Sequence, residues 1–244
     1  MQGLAPRPRA RPLYMRATDN QTVLTISPMT LPVRLITELV GTFIFLSVIA
    51  LSGPIGPLAP LPIGTALMAM VYMGGHISGA HYNPAVSLGV FLSRKLGGAD
   101  MIGYWLAQLV GAALAFTFGY LVSNHSPGIH PGPRVQIFQA LAVEIVFTSA
   151  LVLVVLAVAA TKATQGNSFY GLAIGFTIMA AVFTGGPISG GAFNPAVGFG
   201  ATLGSVLFGS GGWSDLWIYV VGPFIGAAIG AGIHRLLVSG EESR

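Results

Sequence analysis

Two copies of one motif carry the side chains in this sequence that are best placed to contact a small polar solute. Both contain Ile-Ser-Gly followed at the same distance by Asn-Pro-Ala-Val. They run Gly75-His76-Ile77-Ser78-Gly79-Ala80-His81-Tyr82-Asn83-Pro84-Ala85-Val86 and Gly186-Pro187-Ile188-Ser189-Gly190-Gly191-Ala192-Phe193-Asn194-Pro195-Ala196-Val197. An amide side chain can donate hydrogen bonds to a neutral solute. A repeat at this long period also constrains the architecture of the whole chain.

Each copy has the residues of a helix start. Asn is a preferred N-cap, and Pro is tolerated in the first helical turn because its missing N–H is not needed there. The apolar runs that follow, 85–92 and 196–203, are each long enough to cross only about half of a ~30 Å hydrocarbon core. Two half-helices that meet at their Asn-Pro-Ala ends would form one composite span. The alternative is a pair of ordinary capped helices in a soluble core.

The composition decides between these alternatives. The 244 residues are 53% hydrophobic and only 7% charged, and they include 34 glycines. About a quarter of the residues in a soluble domain are charged, so the chain is predicted to be an integral membrane protein with close, glycine-rich helix packing. The sequence contains no cysteine. Its net charge of +4 comes from basic residues that flank apolar segments, so we predict lipid and not nucleic acid as the surrounding partner.

Long apolar segments predict six membrane spans. These segments are 35–52, 59–75, 101–122, 136–160, 169–185 and 216–238. Residues 1–30 are rich in Arg and Pro and predict a disordered tail, with an organelle-targeting segment as the less favoured alternative. The channel-like domain would then cover 31–238, and 239–244 would form a second short tail.

Basic residues predict the orientation. With the N-terminus inside the cell, all but one of the basic residues placed relative to the spans lie on the cytoplasmic side; these are Arg7, Arg9, Arg11, Arg16, Arg34, Arg94, Lys95, Lys162, Arg235 and Arg244. Arg134 is the exception. The pattern predicts a multi-pass protein of the plasma or cell membrane with both termini in the cytoplasm.

The two halves, about 31–122 and 135–238, are predicted to be inverted. Three spans separate equivalent points of the repeat, and an odd number reverses the direction of the second copy. One Asn-Pro-Ala loop must therefore enter from each side of the membrane. Non-helical backbone at membrane depth is tolerated only where protein buries it or where it lines a water-filled cavity. The fold class expected is all-α, with six transmembrane helices and two re-entrant half-helices.

Glu38 and Glu144 lie near the starts of the first and fourth spans, at matching positions of the two halves. Carboxylates within a membrane are costly and usually functional. They suit either a proton relay or the hydrogen bonding of loop N–H groups. Their symmetric placement favours the structural role, because a relay seldom needs two equivalent copies.

His76 and His81 are candidates either to face the pathway or to bond to loop backbone. No spacing near them is typical of a metal site, so neither a metal nor a cofactor is predicted. The sequence also lacks a nucleophile elbow, a P-loop and a dinucleotide fingerprint, and we do not expect an enzyme.

The paired motif, together with Glu38, Gly41-Thr42 and Glu144, resembles the aquaporin (major intrinsic protein) family over about residues 33–238. The resemblance implies six spans with two half-helices, a pore in each protomer and a homotetramer. It also implies that the pore centre consists of Asn83, Pro84, Ala85, Asn194, Pro195 and Ala196. Selectivity in such pores depends on pore width, lining donors and helix dipoles.

The chain departs from this family at the outer filter. Family members usually carry Arg directly after the second Asn-Pro-Ala, and here Val197 occupies that position. The resemblance places the other filter positions at Ile63, Val182 and Gly191, so this ring has no charge, no donor side chain and no aromatic ring. The Asp that glycerol channels carry one residue later is also missing. Neither the strict water filter nor the glycerol filter is therefore expected.

Three classes of function follow. The favoured one is a passive channel for water or other small uncharged solutes, with the filter residues forming a wide apolar constriction because Gly191 adds room. A narrow ring would instead lose its water and slow conduction. The second class is a proton-coupled carrier that uses Glu38 and Glu144, and the third is a structural, junction-forming membrane protein.

Overall fold

The computed structural model describes residues 29–239, and all regular structure in that range is helical. The α-helices are α1 (Leu31–Leu51), α2 (Pro60–Gly74), α3 (Pro84–Leu92), α4 (Gly98–Ser123), α5 (Ile137–Val155), α6 (Tyr170–Ser189), α7 (Pro195–Phe208) and α8 (Leu216–Val238). A π-helical turn, Leu156–Ala160, extends α5, and short 3-10 segments occupy Gly53–Leu58 and Lys162–Thr164. The tails predicted for 1–30 and 239–244 lie almost wholly outside the described residues.

Five of the helices are long and apolar enough to cross a membrane, namely α1, α4, α5 with its π-helical turn, α6 and α8. The chain is an integral, multi-pass membrane protein. The remaining predicted span, 59–75, forms α2, which has only 15 residues. The turn ahead of it contains Pro57, and Gly56 has a φ of 63°, so the helix cannot extend further towards its N-terminus.

Helix α6 differs from its prediction in the opposite direction. The apolar pattern ends near residue 185, but the helix continues through Pro187 to Ser189. Gly190, with a φ of 96°, then ends it in a left-handed conformation. The second re-entrant loop therefore begins directly at the end of a helix, whereas a turn separates α2 from the first loop.

The two halves of the chain share one arrangement, α1–α4 and α5–α8. In each half the first and fourth helices pack closely where a glycine faces backbone. A Cβ atom on Gly111 of α4 would lie 2.7 Å from the Leu39 carbonyl oxygen of α1. A Cβ atom on Gly226 of α8 would overlap the Ile145 carbonyl oxygen of α5 in the same way. Small residues let the helix backbones approach, as is typical of membrane helix packing.

Helices α3 and α7 are the two half-helices. At about 1.5 Å per residue their 9 and 14 residues span roughly 13 and 21 Å, so neither crosses a bilayer alone. Each begins at Pro directly after an Asn N-cap, as the motif predicts. Their N-terminal ends meet in the interior of the protein, where the candidate site lies.

Candidate functional site

The two re-entrant loops have the same unusual backbone. In each loop three residues with positive φ occupy matching positions; these are Gly79 (91°), Ala80 (53°) and Tyr82 (48°) in the first, and Gly190 (96°), Gly191 (75°) and Phe193 (49°) in the second. Bulky residues such as Tyr and Phe seldom adopt this region, and they persist there only where the surroundings hold them. The strained loop conformation is therefore imposed by contacts with the rest of the fold.

Glu38 of α1 supplies these contacts in the first loop. Its Oε1 accepts hydrogen bonds from Ser78 Oγ (2.6 Å) and the His81 backbone N–H (2.9 Å), and its Oε2 accepts from the Tyr82 N–H (2.7 Å). The Gln108 amide donates to Oε2 as well, at 2.8 Å. The carboxylate is completely buried. Burying it costs free energy, and the hydrogen bonds from these donors offset that cost.

Glu144 of α5 does the same in the second loop. Its Oε1 accepts from Ser189 Oγ (2.7 Å) and the Ala192 N–H (3.0 Å), and its Oε2 accepts from the Phe193 N–H (2.7 Å). This carboxylate is also completely buried. Each glutamate thus accepts hydrogen bonds from backbone N–H groups of the loop in its own half.

A tyrosine completes each anchor. The Tyr104 hydroxyl of α4 donates to the Ser78 carbonyl oxygen, and the Tyr219 hydroxyl of α8 donates to the Ser189 carbonyl oxygen, both at 2.6 Å. The sequence analysis did not identify these tyrosines. Tyr104 follows Asn83 by 21 residues and Tyr219 follows Asn194 by 25, so the spacing of the repeat does not pair them.

The two asparagines link the halves at the centre of the molecule. Each Oδ1 caps its own half-helix, at 2.9 Å from Ala85 N for Asn83 and 2.9 Å from Ala196 N for Asn194. Each Nδ2 donates across the interface, Asn83 to the Phe193 carbonyl oxygen and Asn194 to that of Tyr82, again at 2.9 Å. An amide nitrogen has two N–H groups, so one on each residue remains for a solute.

A cavity of about 130 Å³ passes these amides. That volume has room for several water molecules. It extends from Ile129, in the loop between α4 and α5, to Val155 at the far end of α5. The lining residues are Phe45, Ile49, Ile63, Leu67, Ala80, His81, Tyr82, Asn83, Val86, Phe116, Pro127, Gly128, Ile129, Leu151, Val155, Ile174, Ile178, Val182, Gly190, Gly191, Ala192, Asn194, Val197 and Ala201. The wall is predominantly apolar, and its polar side chains are concentrated near the asparagines.

The structure brings the four predicted filter residues to this cavity. Ile63 of α2, Val182 of α6, Gly191 of the second loop and Val197 of α7 all belong to its wall. Ile63 and Val197 are almost fully buried, with exposed fractions of 7% and 3%. None of the four side chains offers a hydrogen bond or a charge to a solute.

A similar set of residues lines the cavity in the other half. The repeat pairs Ile63 with Ile174 and Val197 with Val86, and both partners belong to the wall. Ala80 stands at the position equivalent to Gly191 and lines the cavity as well. Val182 pairs with Val71, which does not belong to the wall. Three of the four outer positions therefore have a chemically similar counterpart in the wall, and these counterparts form an inner ring of Ile174, Ala80 and Val86.

The two candidate histidines lie in different places. His81 is buried in the first loop and lines the cavity. His76 is exposed and does not belong to the cavity wall. It lies in the turn after α2, where the N–H groups of Ile77 and Ser78 bond to the Gly74 carbonyl oxygen before the chain reaches the cavity. Of the two positions considered for a pore-facing histidine, the structure thus brings only His81 to the cavity.

Sequence reasoning missed a third group of lining residues, Pro127, Gly128 and Ile129, in the loop between α4 and α5. This loop is held on the protein by the Gly132 N–H, which donates to the Ile188 carbonyl oxygen at 2.8 Å. It has no periodicity and no repeated counterpart, so nothing in the sequence indicated that it reaches the cavity.

Comparison with known proteins agrees with this geometry. The family model described as "Major intrinsic protein" matches residues 29–234. The chain is 41% identical over 180 residues to aquaporin NIP1-1 of Zea mays, and the matched region covers 71% of this chain and 60% of that protein. It is 35% identical over 191 residues to aquaporin AqpM of Methanothermobacter marburgensis, and the matched region covers 73% of this chain and 76% of that protein.

The fold has a counterpart among solved structures. The aquaglyceroporin from Plasmodium falciparum superposes with a TM-score of 0.76 at 23% identity, covering 86% of this chain and 97% of that one. The fold and the sequence match are those of a family whose members are membrane channels and not enzymes. The chain belongs to the major intrinsic protein family, the family of the aquaporins. The match spans about 60% of the length of the maize relative.

Proposed function

We propose that the protein is a passive channel that conducts water or other small uncharged solutes through the cavity beside Asn83 and Asn194. One observation carries this proposal: a single cavity contacts both central amides and all four residues of the apolar outer ring, Ile63, Val182, Gly191 and Val197. A solute that leaves water for this wall loses most of its hydrogen bonds. The free N–H of each asparagine replaces part of that loss.

The centre of the cavity opposes cations. Helices α3 and α7 direct their N-terminal ends towards the asparagines, and a helix N-terminus carries a partial positive charge of about half a unit. Pro84, Ala85, Pro195 and Ala196 form the first turns of these helices and keep their ends close to the pathway. Neutral solutes do not experience this barrier, which favours their passage over that of ions.

A proton-coupled carrier that uses Glu38 and Glu144 is not supported. Both carboxylates are completely buried and accept hydrogen bonds from their loops, and neither belongs to the cavity wall. A relay group has to exchange its proton with the pathway, and these groups instead hold the loops in place. The family match gives no support to a carrier or to a purely structural protein.

The assembly and orientation are part of the same proposal. We expect a homotetramer with one pore in each protomer, with both termini in the cytoplasm of a plasma or cell membrane. The outer surface has many exposed large apolar side chains, such as Ile36, Leu106 and Val146, which suit contact with lipid or with neighbouring subunits. Native mass spectrometry of the detergent-solubilised protein tests the subunit number.

Stopped-flow light scattering of proteoliposomes tests conduction directly. Purified protein should raise permeability to at least one of water, glycerol, urea and ammonia above that of protein-free vesicles. Flux should follow the gradient of the solute and ignore the membrane potential and the proton gradient. A flux that disappears when the proton gradient is dissipated would favour the carrier.

Val197→Arg tests the role of the outer ring. The longer, charged side chain should narrow the ring and supply fixed donors, reducing urea and glycerol permeability on the order of ten-fold, or about 1.4 kcal/mol of barrier, and water permeability less. Val197→Met is the control, because it adds bulk without charge. Equal loss of all solutes in folded Val197→Arg would contradict a selective filter at this position. Faster water flux would show that the native ring is a hydrophobic gate.

A further inference from the structure

A chain of three buried polar side chains connects the anchor of the first loop to the cavity. The Gln108 amide bonds to Glu38 Oε2 at 2.8 Å and to Ser87 Oγ at 3.1 Å. Ser87 Oγ lies 3.0 Å from Nδ1 of His81. Gln108 and Ser87 are completely buried, whereas His81 lines the cavity.

The second half of the molecule has none of these three residues. Ala192 stands in place of His81 and Gly198 in place of Ser87. Pro223 stands in place of Gln108 when α4 and α8 are aligned on the anchoring tyrosines, Tyr104 and Tyr219. The second loop nevertheless has the same positive φ angles and the same serine, carboxylate and tyrosine contacts. The loop fold therefore does not require the three polar residues. Their presence on one side alone indicates a role in the chemistry of the cavity.

The hydrogen bonds of Ser87 favour one position for the proton on His81. The Ser87 hydroxyl donates to the Asn83 carbonyl oxygen at 3.2 Å, since a carbonyl can only accept. A hydroxyl has one proton and two lone pairs. The lone pairs are then left for the Gln108 N–H and for a proton on Nδ1 of His81, so all three contacts of Ser87 Oγ become hydrogen bonds. A hydroxyl that donated to Nδ1 instead would leave the contact with Asn83 unused, because its carbonyl oxygen would then accept only from the Ser87 N–H.

In this arrangement the ring of His81 is protonated at Nδ1 and bare at Nε2. Within residues 29–239 no carboxylate lies at ion-pair distance from this ring, and burial without an anion favours the neutral form. Nε2 has no hydrogen-bond partner in the described part of the chain, and it is not one of the polar atoms sealed in the interior. The bare nitrogen is thus open to the cavity as an acceptor.

We propose that Gln108 and Ser87 are positioning residues that hold His81 in this tautomer, and that His81 Nε2 is a specificity-determining acceptor for solutes with N–H or O–H groups. The inference rests on the proposed channel function. A solute would meet donors at Asn83 and Asn194 and an acceptor at His81 next to them. Small amides, polyols, ammonia and water carry the complementary donors.

Nitrogen-15 NMR of histidine-labelled protein in lipid vesicles tests the tautomer without measuring transport. The chain has five histidines, so His81→Ala identifies the signal; the Ala192 position shows that a loop of this shape accepts alanine. Wild-type protein should show a protonated Nδ1 and a bare Nε2. Ser87→Ala should move the proton to Nε2, and Ser87→Thr, which keeps the hydroxyl, should restore the wild-type spectrum.

Flux through the same variants tests the specificity role. For the most permeant of water, glycerol and urea, Ser87→Ala should reduce permeability about five-fold, the loss expected for one hydrogen bond. Ser87→Thr should conduct like the wild type. Ser47→Ala is the matched control, because Ser47 also bonds to a carbonyl oxygen one turn earlier (Phe43, 2.7 Å) and does not line the cavity.

The outcomes separate this inference from the proposed function. A wild-type spectrum with the proton on Nε2, or a Ser87→Ala spectrum without a shift, overturns the role of Ser87. A shift of the proton with unchanged flux overturns the role of His81 in specificity. Wild-type vesicles that conduct no solute above the protein-free level overturn the channel itself and the specificity role with it, and the spectrum then decides the tautomer alone.

Discussion

The two re-entrant loops differ in a way that separates folding from pore chemistry. Both use a serine, a buried glutamate and a tyrosine, with hydrogen bonds that agree within about 0.1 Å between the halves. Only the first loop adds His81, which lines the cavity. The shared contacts therefore build the loop, and the unshared ones are available to select solutes.

The constrictions show the reverse relation. An arginine is the family's usual residue at position 197, and it would give the outer ring a charge that the inner ring lacks. Val197 is instead identical to its counterpart Val86, so both rings consist of apolar residues. The chemical asymmetry of this pore thus lies in its first loop and not in its outer filter.

The largest effect is expected from removing a loop anchor. Glu144→Ala leaves the buried N–H groups of Ala192 and Phe193 without an acceptor, at roughly 1–3 kcal/mol each, and removes the shorter hydrogen bond of Ser189 Oγ, so little folded protein should remain. Glu38→Ala should be at least as severe, because it also frees Gln108. Size-exclusion yield and thermal midpoint in detergent measure both. Glu144→Gln keeps one acceptor oxygen and should be intermediate; two alanine variants of wild-type stability would contradict the anchoring role.

Close helix packing gives the next effect. Gly226→Ala places a Cβ atom against the Ile145 carbonyl oxygen, which cannot move independently of α5. We expect destabilisation of about 1–3 kcal/mol, typical of an overpacked site, visible as a lower thermal midpoint. Gly232→Ala in the same helix is the control, since nothing lies within 4 Å of its Cβ position. Equal changes in the thermal midpoint at the two glycines would show that helix propensity, and not packing, accounts for the effect of Gly226→Ala.

Paired cysteines test whether the rings lie at opposite ends of the pore. The wild type has no cysteine and should resist thiol reagents. Val197→Cys should lose most of its flux to a charged methanethiosulfonate added outside, and Val86→Cys to the same reagent added inside. Intact cells expose the outer side of the membrane to the reagent, and inverted vesicles expose the inner side. Block of both variants from one side would contradict the inverted arrangement of the rings. Gly191 is a poor site for this test because its φ of 75° strains any side chain.

The smallest effect is expected at two aspartates near the starts of α4 and α8, each of which contacts one basic side chain. Arg34 and Asp100 lie 2.9 Å apart with side chains 13% and 28% exposed, whereas His130 and Asp215 lie 3.0 Å apart with 54% and 34% exposed. Exposed pairs contribute about 0–1 kcal/mol. Asp100→Asn should therefore lower the thermal midpoint more than Asp215→Asn, and the reverse order would show that exposure does not control their strength.

The sequence by itself determined the repeat, the half-helices and their caps. Asn-Pro-Ala specifies a helix start through local chemistry, and the odd number of apolar segments between the copies requires inversion. Span boundaries were less certain. The helix at Pro60–Gly74 is shorter than its apolar segment, and α6 continues past its own, because prolines and left-handed glycines end helices where hydropathy does not change.

Only the tertiary structure decided which side chains meet in the cavity. Nothing in the sequence links Gln108 and Ser87 to the candidate His81, and the three become a connected set because α4 packs against the start of α3. Ile129 reaches the cavity through an irregular loop, while His76, within the motif itself, does not. Local patterns specify where a helix begins, but contact between distant segments depends on how whole helices pack, and no short pattern encodes that.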